Sequence, residues 1–323
     1  MGLQSNEYLQ VADKGMAAYR APSLTQPHKA RQAIRDAYEG KINPIIGYYC
    51  GISSIPTARV MAQMGADVVW IDWEHSACGV ETMTTIVHEI QFMSEGRTMA
   101  FVRYKWSLYI WYQDLMINIF DRLPGHDHAS IGYALDAGAS IVIPQIDTVE
   151  QAQHVVTAAK FGPTQKGNRS APPCRWLPGI GDTGVDPTRS VWENVNDQAA
   201  IIIQIESEEG AHNLDAILTA VGDKIDAVWM GTMDMRVSMG YDGFWGPEPR
   251  FLEIVELYRN TLKKHNKPDT GMCLGGEWEK GANKAFVIVG GDAFAFLGDT
   301  ATISNARDHL APLASKVHMN GRG

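Results

Sequence analysis

Two apolar runs of this chain each end in a single acid: Ala200-Ile201-Ile202-Ile203-Gln204-Ile205-Glu206 and Ala227-Val228-Trp229-Met230-Gly231-Thr232-Met233-Asp234. Continuous apolar runs of this length predict strands that are buried on both faces, with the acid at the carboxyl end. Two such ends on neighbouring parallel strands could hold one hard divalent cation, because carboxylate oxygens suit Mg²⁺ or Mn²⁺ and leave coordination positions open for a substrate. Alternatively, Glu206 and Asp234 each lie in the first turn of a helix, where the helix dipole favours acids. That alternative explains either acid but not the pair.

Similar short runs recur from Ile45 onward, separated by helix-period or Gly-rich stretches. They predict eight strands: Ile45–Cys50, Asp67–Trp73, Met99–Val102, Ser140–Ile146, Ala200–Ile205, Ala227–Met233, Gly271–Leu274 and Ala293–Leu297. Alternating strand and helix signals indicate a parallel sheet, and eight repeats indicate an α/β fold of the (β/α)8 TIM-barrel type. A doubly wound open sheet is the competing architecture, but no G-x-G-x-x-G follows the first strand.

The length of 323 residues and a hydrophobic content of 45% allow one large core. We expect a polar N-terminal arm over residues 1–30 and a single barrel domain over residues 31–323. The stretch from Thr300 to Val317 has the pattern of an amphipathic helix that could pack on a neighbouring subunit.

Charge and cysteine content narrow the class of partner. A net charge of -9 and a pI near 5.6 argue against a nucleic-acid surface. The four cysteines lie far apart without a C-x-x-C spacing, which favours reduced thiols. No stretch reaches the roughly 18 apolar residues that span a bilayer. We therefore expect a cytoplasmic protein that acts on small molecules and binds no nucleic acid or membrane.

Further polar side chains follow the second and third predicted strands. The second ends in Asp72-Trp73-Glu74-His75, and the third ends in Arg103. A histidine at the carboxyl end of a barrel strand can shuttle a proton, and an arginine there can bind a carboxylate in bidentate fashion. A loop histidine that bonds only to its own backbone and a surface salt bridge of Arg103 are the alternatives. We take Asp72, His75 and Arg103 as catalytic candidates.

Taken together, the motifs of the chain resemble the HpcH/HpaI aldolase family of metal-dependent class II pyruvate aldolases, with fungal members the most similar in character. The resemblance covers residues 42–317, in the family's order. The motifs are Asp67-x-x-Trp70-Ile71-Asp72-x-Glu74-His75, Leu135-Asp136-Ala137-Gly138-Ala139, Val142-Ile143-Pro144, Gln204-Ile205-Glu206-Ser207 and Gly231-x-x-Asp234.

The resemblance implies a role for each matching residue. Glu206 and Asp234 would bind a divalent metal, Mg²⁺, Mn²⁺ or Co²⁺, supported by Gln204. Arg103 would bind the oxygen of pyruvate or its enolate, and His75 would act as acid and base through water. Asp136 would reach in from a neighbouring subunit to orient His75, within a homo-oligomer that is a hexamer by resemblance and exchanges its C-terminal helices.

The resemblance implies aldol cleavage of a 4-hydroxy-2-oxo acid, or its formation by condensation, through a metal-bound pyruvate enolate. The chain would then be a carbon–carbon lyase whose small-molecule partners are a 2-oxo acid and an aldehyde. A lyase for malyl- or citramalyl-type coenzyme A thioesters is the enzymatic alternative. A class I aldolase would need a Schiff-base lysine, and Lys105 is the lysine near a predicted strand end. The identity of the aldehyde is not evident in the sequence.

The chain departs from the family between Arg103 and Leu123, where residues 104–122 are inserted. An arginine stands at each border, and removing the segment restores a continuous family sequence. We interpret residues 104–122 either as a translated intron or as a lid over the site. Arg122 could therefore replace Arg103 in substrate binding, or the segment could occlude the site and leave a non-catalytic isoform. Arg169 we interpret as structural, and His126 and His128 as solvated surface residues.

Overall fold

The computed structural model of the chain describes residues 15–103, 128–162, 166–177, 180–181, 185–275 and 278–320. Eight parallel strands within these residues close into a barrel in which each strand pairs with its neighbours in chain order and the last pairs with the first. The strands are β1 Ile45–Cys50, β2 Val68–Asp72, β3 Met99–Arg103, β4 Ser140–Ile143, β5 Ile201–Ile205, β6 Ala227–Met230, β7 Asp269–Met272 and β8 Phe286–Gly291. The predicted (β/α)8 barrel is confirmed.

Helices lie between successive strands and surround the barrel. They are α1 Ala30–Tyr38, α2 Ile55–Met61, α3 Val80–Met93, α4 His128–Asp136, α5 Val149–Ala159, α6 Val191–Gln198, α7 Glu208–Val221, α8 Thr232–Ser238, α9 Pro249–Lys264, α10 Trp278–Gly281 and α11 Asp292–Asn320. None of the described helices is long and apolar enough to cross a lipid bilayer.

The core has two layers, which follow from the alternation of side chains along each strand. Inward side chains such as Trp70, Phe101, Trp229 and Phe286 fill the barrel, and outward ones such as Ile71 pack under the helices. Four of the inward rings touch in series, with centroids 4.5 Å apart for Trp70 and Trp229 and 5.6 Å apart for Phe101 and Phe286. The barrel interior is therefore a packed aromatic layer that forms a floor beneath the strand ends.

The eighth strand was predicted in the wrong place. Residues Ala293–Leu297 belong to α11, and the strand is Phe286–Gly291. Asp292 is the first residue of the helix, and its carboxylate accepts hydrogen bonds from the backbone N–H groups of Ala293 and Gly51, at 2.7 Å each. The helix predicted over Thr300–Val317 is present, but it begins at Asp292.

Other predicted strands shift only at their ends. The fourth strand stops at Ile143 rather than Ile146, because Pro144 has no N–H for the hydrogen bonds between strands and Gln145 adopts a φ of 53°.

The described part of the N-terminal segment packs on the barrel, with Tyr19 and His28 buried.

Candidate active site

Five of the predicted site residues line one cavity of about 350 Å³ at the carboxyl ends of the strands. They come from β2, β3, β5, β6 and the loops that follow, and they are His75, Arg103, Gln204, Glu206 and Asp234. Asp72 lies directly beneath and is fully buried. The barrel therefore gathers residues that are more than 150 positions apart in the sequence at one end of the fold.

Glu206 is a buried carboxylate with one unsatisfied oxygen. Its Oε2 accepts a hydrogen bond of 2.9 Å from the backbone N–H of Gln145, while Oε1 is buried and has no hydrogen-bond partner among the described residues. The buried side-chain oxygen of Gln204 likewise accepts no hydrogen bond from the part of the chain that the structure describes. Burial raises the pKa of Glu206 to about 8, and the negative charge of Asp234 adds to the effect.

Gly231 makes room for this carboxylate. A Cβ at that position would lie 2.6 Å from Cγ of Glu206 and still closer to Oε1. The glycine lies between β6 and α8, whose first turn carries Asp234. Asp234 therefore does lie in the first turn of a helix, as the alternative interpretation of the acid predicted. The same residue also lines the cavity together with Glu206.

These donors fit a divalent cation. Glu206, Asp234 and Gln204 line the same cavity, and burial together with the negative charge of Asp234 raises the pKa of Glu206, so a cation beside these oxygens would stabilise the charged carboxylate. Among the residues that the structure describes, no three His, Cys, Asp or Glu side chains form a complete metal site by themselves. A metal held by Glu206 and Asp234 would therefore keep coordination positions for the Gln204 oxygen, water or a substrate.

Arg103 is clamped by acids on one side. Its Nε and Nη2 donate to the two oxygens of Asp72 at 3.0 and 2.6 Å, and Nε lies 3.2 Å from Glu74. The guanidinium carbon lies 4.8 Å above the ring centre of Trp70. These contacts fix the plane of the guanidinium, and Nη1 makes no hydrogen bond to any described residue. Arg103 lines the cavity, where a guanidinium can bind an anionic ligand.

Asp72 is the centre of this network. Burial alone would raise the pKa of its carboxyl, but the charge and hydrogen bonds of Arg103 outweigh burial and hold that pKa below its usual range. Tyr49 donates a further hydrogen bond of 2.5 Å, and the backbone N–H of His75 donates one of 3.2 Å. Asp72 thus positions groups from β1, β2 and β3 at once.

His75 stands at the mouth of the cavity. Its imidazole is largely exposed, and Nε2 lies 3.7 Å from Glu74. Burial raises the pKa of Glu74. The imidazole can therefore reach both solvent and the cavity, which a group that exchanges protons through water requires.

Asp136 lies apart from this cavity. It ends α4, on the side of the barrel where strands begin, and its carboxylate pairs with Arg169. Arg169 is buried, and its guanidinium carbon lies 4.3 Å from the ring centroid of Phe161, as suits the structural role that we predict for it.

The described residues do not include Lys105, Arg122, His126 or any other part of the insert 104–122. His128 is the first residue of α4.

Sequence reasoning missed several residues that line the cavity. Tyr49 on β1 and the floor residues Trp70 and Trp229 point inward by strand alternation, a signal that was readable. Lys284 also lines the cavity, where it pairs with Asp269 and donates to the carbonyl oxygen of Thr270 at 3.0 Å. It was missed because it precedes β8, the strand that the sequence placed wrongly.

Comparison with known proteins identifies the family of the chain. The family model for HpcH/HpaI aldolase/citrate lyase matches residues 46–246. A 4-hydroxy-2-oxo-heptane-1,7-dioate aldolase of Escherichia coli is 27% identical over 273 residues, which is 83% of this chain and 89% of the relative. One from Salmonella heidelberg is 26% identical over 72% of this chain and 75% of its own length.

Solved structures give the same result. A crystal structure of macrophomate synthase is 29% identical, covers 95% of this chain and 98% of its own, and superposes with a TM-score of 0.77. A family protein from Burkholderia cenocepacia shares the fold, with a TM-score of 0.66 and 20% identity. The match covers 85% of this chain and 97% of that protein. The predicted family is confirmed, and the names of the curated relatives agree with the predicted enzyme class, a carbon–carbon lyase. The chain belongs to the HpcH/HpaI aldolase/citrate lyase family.

Proposed function

We propose that this enzyme forms and cleaves 4-hydroxy-2-oxo acids as a metal-dependent pyruvate aldolase. One observation carries the proposal: Glu206, whose buried Oε1 has no hydrogen-bond partner among the described residues, lines one cavity with Asp234 and Arg103. A 2-oxo acid needs such a combination, because its carboxylate and ketone oxygens chelate a cation while a guanidinium neutralises the developing enolate. Family membership supports the same reaction class.

Glu206 and Asp234 would hold the metal. When bound, a divalent ion supplies Lewis-acid polarisation of the ketone, which acidifies the methyl protons of pyruvate. Mg²⁺, Mn²⁺ and Co²⁺ all suit a donor set of oxygens. Gln204 would support the site through its buried oxygen.

The chain's own residues would bind and orient the substrate. Arg103, fixed by Asp72, would present Nη1 to an oxygen of pyruvate or its enolate. His75 would deliver and remove protons through water at the mouth of the cavity. The aromatic floor of Trp70 and Trp229 excludes water from below, which strengthens the electrostatic contacts above it.

We also propose that the protein is cytoplasmic and forms a homo-oligomer in which Asp136 of one subunit orients His75 of another. Asp136 is partly exposed and held by Arg169, so its carboxylate has one face free for a neighbouring subunit. Light scattering combined with the activity of an Asp136→Asn variant tests this role. A monomeric and fully active protein would contradict it.

The proposed function is tested by exchange of the pyruvate methyl protons for deuterium, followed by ¹H NMR, because this exchange needs no aldehyde. We expect exchange that depends on Mn²⁺ or Mg²⁺ and falls more than about 100-fold in Glu206→Gln. Glu209→Gln is the matched control, because Glu209 is an exposed residue of α7 outside the cavity. A folded, metal-binding protein without exchange would refute the proposal and favour the non-catalytic isoform.

A further inference from the structure

The cavity has two chemically different halves. The charged groups described above come from β2, β3, β5 and the first turn of α8. The segments that follow β6, β7 and β8 supply the other half, which we call the apolar half. Its side chains are Met233, Phe244, Trp245, Leu274, Phe294 and Leu297. A volume of about 350 Å³ is larger than pyruvate needs, so this half has room for a second reactant.

The apolar half is anchored on the barrel. The ring of Trp245 packs edge to face on Phe251 with centroids 5.2 Å apart, and Phe251 is fully buried in α9. On the opposite side, Phe294 at the start of α11 packs on Tyr49 with centroids 5.3 Å apart. Phe244 and Trp245 are still 45% and 46% exposed, so a bound chain would cover apolar surface that now faces solvent.

The cations near this half are neutralised or lie at the rim. Lys284 pairs with Asp269, whose other oxygen accepts a hydrogen bond of 2.8 Å from Tyr258. Arg103 is paired with acids on the opposite side of the cavity. Of the described cations that line the cavity, Arg259 is left, on the exposed side of α9. Among the described residues, a carboxylate buried in the apolar half would therefore find no unpaired cation beside it and would be desolvated at a cost.

We propose that the aldehyde partner of this aldolase carries an apolar or aromatic chain rather than a second carboxylate. The inference rests on the proposed function and deepens it. It sets this enzyme apart from the bacterial relatives, whose printed names specify a 1,7-dioate. In the condensation, C3 of the pyruvate enolate forms a bond to the aldehyde carbon, the carbonyl electron pair moves to its oxygen, and that oxygen takes one proton. No oxidant or reductant is required.

Chain length gives the first test. The specificity constant kcat/KM for condensation with pyruvate is measured in the presence of Mn²⁺ for propanal, butanal, pentanal, benzaldehyde and succinic semialdehyde. Each added methylene should raise kcat/KM by about fourfold, as expected for a buried CH₂. Pentanal and benzaldehyde should exceed succinic semialdehyde by at least about tenfold. A preference for succinic semialdehyde would overturn the inference.

Variants of the wall give the second test. Trp245→Ala should lower kcat/KM for pentanal about tenfold relative to the rate of pyruvate deuterium exchange in the same variant. The ratio separates loss of the acceptor surface from general damage to the site. Leu252→Ala, an exposed apolar residue of α9 outside the cavity, is the control and should leave the ratio unchanged. An unchanged ratio in Trp245→Ala would contradict the inference.

A gain-of-function variant covers the case in which Trp245→Ala fails to fold. Leu274→Arg places a guanidinium in the apolar half and should shift the preference toward succinic semialdehyde by at least about tenfold. Arg259→Leu should leave the wild-type preference in place, whereas a tenfold loss of succinic semialdehyde turnover would identify Arg259 as a carboxylate receptor and overturn the inference. Absence of deuterium exchange in the wild type would refute the proposed function itself, so the two failures are distinguishable.

Discussion

Arg103 and Asp72 form a two-point contact, with Nε donating to Oδ1 at 3.0 Å and Nη2 to Oδ2 at 2.6 Å. The pair joins adjacent positions of β2 and β3, since the two residues are register partners in the sheet. Both side chains are almost entirely buried. The contact therefore fixes the guanidinium of Arg103 within the wall of the cavity.

We expect Arg103→Lys to lower kcat/KM for pyruvate exchange by about 100-fold, because an ammonium group cannot keep both bonds to Asp72 and also reach the substrate. The free energy of unfolding should fall by about 3 kcal/mol, since a buried pair is broken. NMR exchange and urea unfolding measure the two effects. Arg250→Lys is the matched control: Arg250 binds Glu208 at the surface, and its loss should cost less than about 1 kcal/mol. Equal losses in both variants would argue against a special role for Arg103.

Gly231→Ala should weaken metal binding at least about tenfold, because the new Cβ would overlap the carboxylate of Glu206. Titration calorimetry with Mn²⁺ measures the affinity. Gly132→Ala serves as control, since that position on α4 has open space around it and should gain stability without affecting the metal. Wild-type affinity in Gly231→Ala would show that Glu206 does not bind the ion in the position that the structure gives it.

The fold was largely predictable because the buried strands carry continuous apolar runs. Residues 201–205 and 227–230 are completely buried, and their runs led directly to the carboxyl ends where Glu206 and Asp234 lie. The error at β8 also has a physical cause. Ala293–Leu297 alternates small and aromatic residues and therefore resembles a strand, but Asp292 starts a helix there. The carboxylate of Asp292 also contacts the backbone of Gly51, a tertiary contact that the local pattern does not contain.

The site was predictable where a charged residue ends a strand and was missed where its role depends on partners. Arg103 is the last residue of β3 and His75 lies shortly after β2, so both could be recognised from the sequence as candidate site residues. The hydrogen bond from the Gln145 backbone to Glu206 depends on a positive φ that the residue type does not announce. The pairing of Lys284 with Asp269 joins two strand starts and needed the correct β8.

The stability of the protein should depend on pH through His28. Burial lowers the pKa of this imidazole from 6.5 to about 4, and its ring contacts the carbonyl oxygen of Gly96 at 3.0 Å. Because the folded pKa lies below the unfolded one, the contribution of the neutral ring is complete above pH 6.5 and is lost as the pH falls toward 4. The loss should reach about 3 kcal/mol. Urea unfolding from pH 7.5 to 4.5 measures it.

His28→Gln is the variant for this test, because a glutamine amide can donate to Gly96 without taking up a proton. Its free energy of unfolding should fall less steeply with acid than that of the wild type. Parallel curves for the two proteins would assign the acid sensitivity to other groups. His212→Gln is the control, since His212 is an exposed residue of α7.

The hydroxyl of Tyr49 donates a hydrogen bond of 2.5 Å to the carboxylate of Asp72. Its ring packs on Trp70, with the ring centroids 5.0 Å apart. Tyr49→Phe keeps the ring and removes only the hydrogen bond to a buried carboxylate. Such a bond contributes about 1.5–3 kcal/mol. We expect looser positioning of Arg103 and therefore an approximately tenfold lower kcat/KM for pyruvate exchange, with a matching loss of affinity for oxalate, which resembles the enolate of pyruvate.

Tyr48→Phe is the matched control, because the neighbouring side chain points to the opposite face of β1 and packs in the outer layer of the core. It should change neither exchange nor oxalate binding. Thermal unfolding of both variants separates positioning from stability. If Tyr49→Phe lowered only the melting temperature and left the oxalate affinity unchanged, the hydroxyl would be holding the fold together and not Arg103 in place for the substrate.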